Sequence, residues 1–370
     1  MRKENGFINF LLSLIALVLI IVILFFGYIV YEEYYGEGTI IIDGEAGYPV
    51  IGNNNATGSN VEDTEIVNID LSTTDTQTND NKNRYLYNQL SDTAKIIYQK
   101  LYDNKENLKT GTYTLEFGNV FSNILSQENG SDLLKQEYQT AIEAFTYENP
   151  DVFYLDVTKM YINIEMIKKL FTTKYNVYIN NYEDPNYLAE SFTSKDQIDE
   201  CQRQIEQVRD KVLANIEGKD IIEQIRYIHN YLIDNVQYDQ TVQKDNIYNI
   251  YGALVLKEGV CEGYAKALQY LLSSAGIENV IVTGIATNNN GETENHAWNY
   301  VKIGSAWYAL DVTWDDPIII GGGKINDKIR YQYFLKGSRT MDENHYLSNQ
   351  FTENGMEFEF PKLSITDYNI

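Results

Sequence analysis

Apolar and polar positions divide the chain into stretches of very different character. Residues 5–31 hold 27 consecutive uncharged positions, most of them Leu, Ile, Val or Phe. At ~1.5 Å per residue, a helix over this stretch is longer than a hydrocarbon core of ~30 Å. The pattern therefore predicts a membrane-spanning anchor. A cleavable signal peptide has an apolar region of only ~7–15 residues before a small-residue cleavage site. Here the run is longer and ends in Gly27, Tyr28, Ile29, Val30 and Tyr31. Arg2 and Lys3 precede it, Glu32 and Glu33 follow it, and the next base is Lys82. Positive charge stays inside, which predicts a single pass with a cytoplasmic N-terminus and the rest of the chain extracytoplasmic.

Residues 32–83 lose the apolar pattern and read as a flexible acidic tether. They are rich in Gly, Asn, Thr and Asp, as in GNNNATGSN and LSTTDTQTNDNKN. Such a composition buries little apolar surface and stays solvated. From residue 84 periodicity returns. Tyr87, Leu90, Ala94, Ile97 and Leu101 follow helical spacing, predicting a helix over about 84–103. A second helix is predicted over 131–147 with Ser131 as N-cap. The alternating runs NPDVFYLDVTKMYINI and KKLFTTKYNVYINNY read as strands. Together these form an α/β accessory region over 84–192 with no catalytic signature of its own.

The remaining unit, 193–370, opens with helices over 194–216 and 219–236. Cys201 lies on the apolar stripe of the first and reads as core; His229 lies beside the stripe of the second and reads as packed or exposed. The informative segment is GVCEGYAKALQYLLSSAG, where Cys261 opens a helix that Gly276 stops. The first turn of a helix favours a thiolate and offers backbone N–H groups to an oxyanion. A thiol there still needs a base.

A hairpin supplies one. HAWNYVKIGSAWYALDVTW alternates on both sides of Gly304 and Ser305, a pair suited to a type II′ turn. That turn pairs Ile303 with Ala306 and Val301 with Tyr308. Extended further, it pairs Trp298 with Asp311 and His296 with Thr313. His296 and Asp311 then share a face as diagonal neighbours, roughly 7–8 Å apart at the backbone. Singly, His296 reads as a satisfied histidine on a strand and Asp311 as a turn or ladder residue. Together with Cys261 they favour a Cys–His–Asp site.

Composition narrows the field. With 29 basic and 53 acidic residues the net charge is −24, which argues against a nucleic-acid partner. Three His and two Cys exclude zinc-ribbon and disulfide-scaffold architectures. No cofactor is implied. Asp315 and Asp316 read as turn caps, His345 as a surface or packing residue, and IIIGGGKIND as a loop without P-loop spacing. The Asn55 and Asn129 sequons bear only on a glycosylating pathway.

At GVCEGYAKAL, NHAWNYV and WYALDVTWDDP, with YIHNYLIDNVQYD and IYGALVLKEG, the chain resembles the transglutaminase-like superfamily over about residues 220–317. The resemblance implies an α+β fold with a papain-like core, in which a Cys-bearing helix packs on an antiparallel sheet bearing His and Asp. It assigns Cys261, His296 and Asp311 as the triad. It also implies an anchored thiol enzyme acting on protein or peptide amide bonds, of surface proteins or cell-wall peptides, by hydrolysis or by acyl transfer to an amine. The alternative is a non-catalytic binding or scaffolding module that keeps the fold.

Overall fold

The computed structural model describes residues 18–33, 39–46, 84–288, 291–316, 326–348 and 357–369. The architecture is α+β. In the first half run strand β1 (Thr39–Ala46), helix α1 (Asp92–Asp103), strand β2 (Leu115–Gly118), helix α2 (Gly130–Glu148) and strands β3 (Tyr161–Lys168) and β4 (Thr173–Asn180). Helices α3 (Lys195–Ile216) and α4 (Ile221–Asn235) follow, then strands β5 (Gln237–Tyr238) and β6 (Glu258–Gly259) and helix α5 (Cys261–Ser274). Strands β7 (Asn279–Thr287), β8 (Thr293–Ile303), β9 (Ala306–Leu310), β10 (Phe334–Lys336) and β11 (His345–Ser348) complete the order.

Two antiparallel sheets organise these elements, one in the order β1-β3-β4-β2 and the other in the order β10-β9-β8-β7-β11. One connected apolar core runs from Leu86 to Phe358 and takes in both the accessory region and the second sheet. Polar ties cross the same boundary. The buried Lys109 side chain pairs with Asp199 of α3 at 2.9 Å, and Gln89 exchanges two hydrogen bonds with the Glu359 backbone at 2.8 and 3.0 Å.

The helical periods hold, with adjusted ends. α1 starts at Asp92 because Ser91 accepts the Ala94 N–H at 3.0 Å, a side-chain cap that sets the first turn. Ser194 and Asp220 cap α3 and α4 in the same way. α2 differs from expectation. Its N-cap is Asn129 rather than Ser131, and Gly130 is its first residue. A Cβ on Gly130 would lie 2.3 Å from the Ile124 carbonyl oxygen, so close backbone approach, rather than a hydroxyl, sets that start.

One further expectation is corrected, and another finds no support among the described residues. Within the tether, residues 39–46 form a strand that pairs with β3 from Thr39↔Lys168 to Ala46↔Tyr161. The β-branched run of residues 39–42 suits an extended backbone, and β3 would otherwise be an edge with unpaired N–H and C=O groups. Asp43 adds an ion pair to Lys135 of α2 at 2.6 Å. Tether residues 47–83, with Asn55, lie outside the described residues, as does most of the Gly-Gly-Gly-Lys loop. The expected membrane anchor finds no support. Residues 5–17 lie outside the described residues, residues 18–33 are helical, and among the described residues no helix is long and apolar enough to cross a membrane.

Candidate active site

Cys261 is the first residue of α5, a 14-residue helix, and is partly exposed. Its neighbours explain the local sequence. The segment around Ile247 crosses the helix start, where the Val260 N–H donates to the Ile247 carbonyl at 3.0 Å. A Cβ on Gly263 would sit 2.3 Å from that same oxygen, so only glycine lets the helix start this close. β5 runs parallel to β6 with Tyr238 opposite Gly259, which brings the Tyr238 phenol beside Cys261. Burial, followed by the charge of Cys261, pushes the Tyr238 pKa up. The phenol stays an O–H donor.

The hairpin forms as its spacing predicts. Gly304 has φ +62°, and Ser305 is not among the residues with positive φ, the signature of a type II′ turn. Ile303 pairs with Ala306 and Val301 with Tyr308. The ladder then stops at Asn299↔Leu310, so the expected pairings of Trp298 with Asp311 and of His296 with Thr313 do not form. Instead the chain leaves the sheet at Asp311. The Asp311 N–H donates to the Tyr333 carbonyl at 3.2 Å, and the Asp311 carbonyl accepts from the Asp315 N–H at 3.1 Å. This turn still carries the carboxylate to the histidine: His296 Nε2 lies 2.7 Å from Asp311 Oδ2.

Both residues are buried, each 1 % exposed. Six consecutive residues of β8, His296–Val301, are buried, so both faces of the strand are covered. The Asn299 side chain donates to the Ala265 carbonyl of α5 at 3.0 Å, while Trp298 and Trp314 flank the His296 ring at 5.9 and 5.5 Å between centroids. Burial alone would lower the His296 pKa. The charge and hydrogen bond of Asp311, joined by the Cys261 sulfur as an acceptor, outweigh it and raise the value to about 10. Burial would raise Asp311, but His296 and then His345 hold its carboxyl well below the usual carboxylate range. The cluster thus combines an exposed-end thiol, an imidazole favoured in its charged form, and an ionised carboxylate.

Four residues read as unremarkable in sequence belong to this region. His345 of β11 is buried, with Nε2 3.0 Å from Asp311 Oδ2. His229 of α4 is buried, with Nε2 2.9 Å from Asp315 Oδ2. The other Asp315 oxygen accepts from the Tyr333 N–H at 2.7 Å, and Asp316 accepts from the Tyr264 hydroxyl at 2.7 Å. All three histidines of the chain therefore bond to acids of one turn, 311–316. The acids of WYALDVTWDDP were a visible signal; their partners are remote in sequence. Cys201, by contrast, is a free, buried core residue, as its stripe predicts.

The nearest ligand atoms of His296, Asp311 and His345 all lie within 4.8 Å of one another. That spacing would suit a metal. Here both ring Nε2 atoms face the same carboxylate oxygen at hydrogen-bonding distance. An open cleft of about 350 Å³ lies between the accessory region and α5, lined by Asn149, Phe153, Asp156, Asp245, Tyr248 and Glu262, among others, with Cys261, His296 and Asp311 outside its lining.

Residues 206–312 match the model of the transglutaminase-like superfamily, and the chain carries a transglutaminase-like domain there. Kyphoscoliosis peptidase of Homo sapiens is 22% identical over 186 residues, covering 46% of this chain and 26% of that protein. The Mus musculus counterpart is 23% identical over 145 residues, covering 36% and 22%. The chain thus spans about a quarter of the length of the curated relatives it matches. Among solved structures, the crystal structure of a TGase aligns with a TM-score of 0.29 at 14% identity, covering 46% of this chain and 48% of that one.

Proposed function

We propose that the chain is a thiol enzyme that cleaves or exchanges amide bonds of proteins or peptides through Cys261, His296 and Asp311. One observation carries this reading: His296 lies 2.7 Å from the buried, ionised Asp311 on the strand against which the Cys261 helix packs, and the charge of Cys261 adds to that of Asp311 in favouring the charged ring. The Cys261 sulfur attacks the amide carbonyl carbon, and the C–N bond breaks. His296 gives its proton to the departing amine or ammonia, leaving a thioester. Asp311 holds the ring in the tautomer that presents Nδ1 to the sulfur, and stabilises its charged form. Water or an amine then attacks the thioester, His296 takes the proton, and the thiolate is restored. The Cys261 backbone N–H and the Tyr238 hydroxyl are suited to the oxyanion. The cleft beside Glu262 offers room for the chain that carries the amide.

The location follows from the N-terminal pattern. From the uncharged stretch 5–31 alone, with bases before it and acids after it, we infer an anchored enzyme on the outer face of a cell membrane. Surface proteins and cell-wall peptides are its substrate classes.

The test compares wild type with Cys261→Ala on a broad peptide set. Release of ammonia or new amino termini reports hydrolysis, and incorporation of a labelled amine reports transfer. Either signal, lost in the variant, upholds the reading. No signal in either assay rejects it in favour of a binding module.

A further inference from the structure

His345 meets oxygen on both ring nitrogens. Nε2 lies 3.0 Å from Asp311 Oδ2, and Nδ1 lies 2.7 Å from Asn344 Oδ1. The Asn344 amide is oriented by its own NH₂ group, which donates to the Tyr333 hydroxyl at 2.7 Å. With Asn344 Oδ1 facing Nδ1 and Asp311 Oδ2 facing Nε2, both ring nitrogens act as donors. The ring is also boxed in by Trp314, Trp298 and Tyr333, with centroids at 4.7, 5.0 and 5.2 Å. Its side chain is fully buried, so water does not screen it. The titratable groups facing it are Asp311 of the turn, His296 of β8 at 5.7 Å between ring centroids, and Tyr333 ahead of β10. Burial keeps Tyr333 protonated.

The shared oxygen gives this arrangement its consequence. Asp311 Oδ2 takes hydrogen bonds from His296 at 2.7 Å and from His345 at 3.0 Å, while Oδ1 takes one from the Trp314 N–H at 3.1 Å. We propose that His345 is a positioning residue of the site: a doubly protonated ring that shares the Asp311 carboxylate with His296, fixes its orientation and loosens its grip on the His296 proton. The proposal rests on the thiol-enzyme reading above. A lone buried carboxylate would hold the imidazolium proton tightly. A second cation on the same oxygen weakens that hold, so the proton passes more readily to the leaving amine. It also adds positive charge to the field felt by the thiolate.

The experiment uses the full chain as wild type, His345→Gln and His345→Phe, with Cys261→Ala to subtract Cys201. It measures the pH profile of alkylation by iodoacetamide and the ¹⁵N signals of the histidine rings. In wild type, both His345 ring nitrogens carry protons at neutral pH. Glutamine keeps a donor for Asp311 but no charge. Removing a neighbouring cation raises the pKa of both thiol and imidazole, so His345→Gln moves the profile about one unit toward alkaline pH, a loss of about tenfold in rate on the acid side. His345→Phe shows the same shift and also a lower rate at its optimum, which glutamine restores. A merely structural His345 would leave the His345→Gln profile in place, and that result overturns the proposal. If the wild-type thiol reacts no faster than free cysteine, the thiol-enzyme reading falls. The ring nitrogens then decide alone: two protons uphold the shared carboxylate, and one overturns it.

Discussion

The turn 311–316 holds two buried aspartates, and each grips a histidine from a distant element. Asp311 meets His296 at 2.7 Å, and Asp315 meets His229 at 2.9 Å. Their surroundings separate them. Asp311 is shared by two histidines and is held well below the usual carboxylate range, whereas burial outweighs the single His229 and pushes Asp315 up to about 6. The outer side of each ring differs as well. His296 turns toward the Cys261 thiol. His229 Nδ1 lies 3.2 Å from Asn230 Oδ1, and its ring packs on Tyr331 and Phe334. Equal pair geometry thus serves different ends. One pair faces the Cys261 thiol; the other ties the turn to α4. Burial depth does not distinguish them, because all four side chains are buried. The number of donors on the carboxylate and the partner on the far ring nitrogen do.

The largest expected effect breaks the first pair. Asp311→Asn should lower amide turnover by about 10²–10⁴-fold, because the wrong tautomer is then favoured, while urea midpoints move less than for Asp315 variants. A turnover unchanged within threefold would refute the assignment of Asp311. Breaking the second pair should do the reverse. Asp315→Ala leaves a buried His229 and the Tyr333 N–H without their acceptor, at a cost of about 3 kcal/mol in denaturant unfolding. Alkylation of Cys261 in the folded protein should fall less than tenfold.

A smaller effect tests the third acid of the turn. Tyr264 sits on α5, one helical turn after Cys261, and its hydroxyl donates to Asp316. Tyr264→Phe should cost about 1–2 kcal/mol, read as a shifted urea midpoint with an unchanged slope. The loss should shrink in an Asp316→Asn background, since the two residues share one bond.

The gentlest probe is pH, where the two pairs act in different windows. Asp315 is raised from 3.8 to about 6, so the folded state binds more protons across that interval. Its contribution is fully present below the unfolded value and is lost as pH rises through about 6. Asp311 is lowered, so its contribution is present above the unfolded value and is lost in strong acid. His296 is raised from 6.5 to about 10, and its contribution is present below 6.5 and lost as pH rises through about 10. Urea midpoints measured against pH should therefore lose the slope between about 4 and 6 in Asp315→Asn. The slope between about 6.5 and 10 should flatten in Asp311→Asn. The opposite assignment of slopes to variants would break the comparison.

Much of this site was legible in the residues. Glycines around Cys261, a helical stripe behind it and a Gly-Ser hairpin are local signals, because backbone geometry fixes which side chains share a face over a few residues. The pairings Ile303↔Ala306 and Val301↔Tyr308 follow from that turn alone. The same logic failed one residue past the end of β9. Nothing in the alternation marks where a ladder stops, and Asp311 reaches His296 from a turn rather than from a paired strand position.

The helical stripes, the hairpin register and the candidates Cys261, His296 and Asp311 were readable from the residues, since each depends on short-range periodicity and on the chemistry of scarce residue types. Only the tertiary structure decided that His345 joins Asp311 across 34 positions, that His229 joins Asp315 across 86, and that residues 39–46 complete the edge of β3. Those contacts are set by how buried surfaces pack and by the need of each buried polar group for a partner, and neither condition is written in the spacing of neighbouring residues.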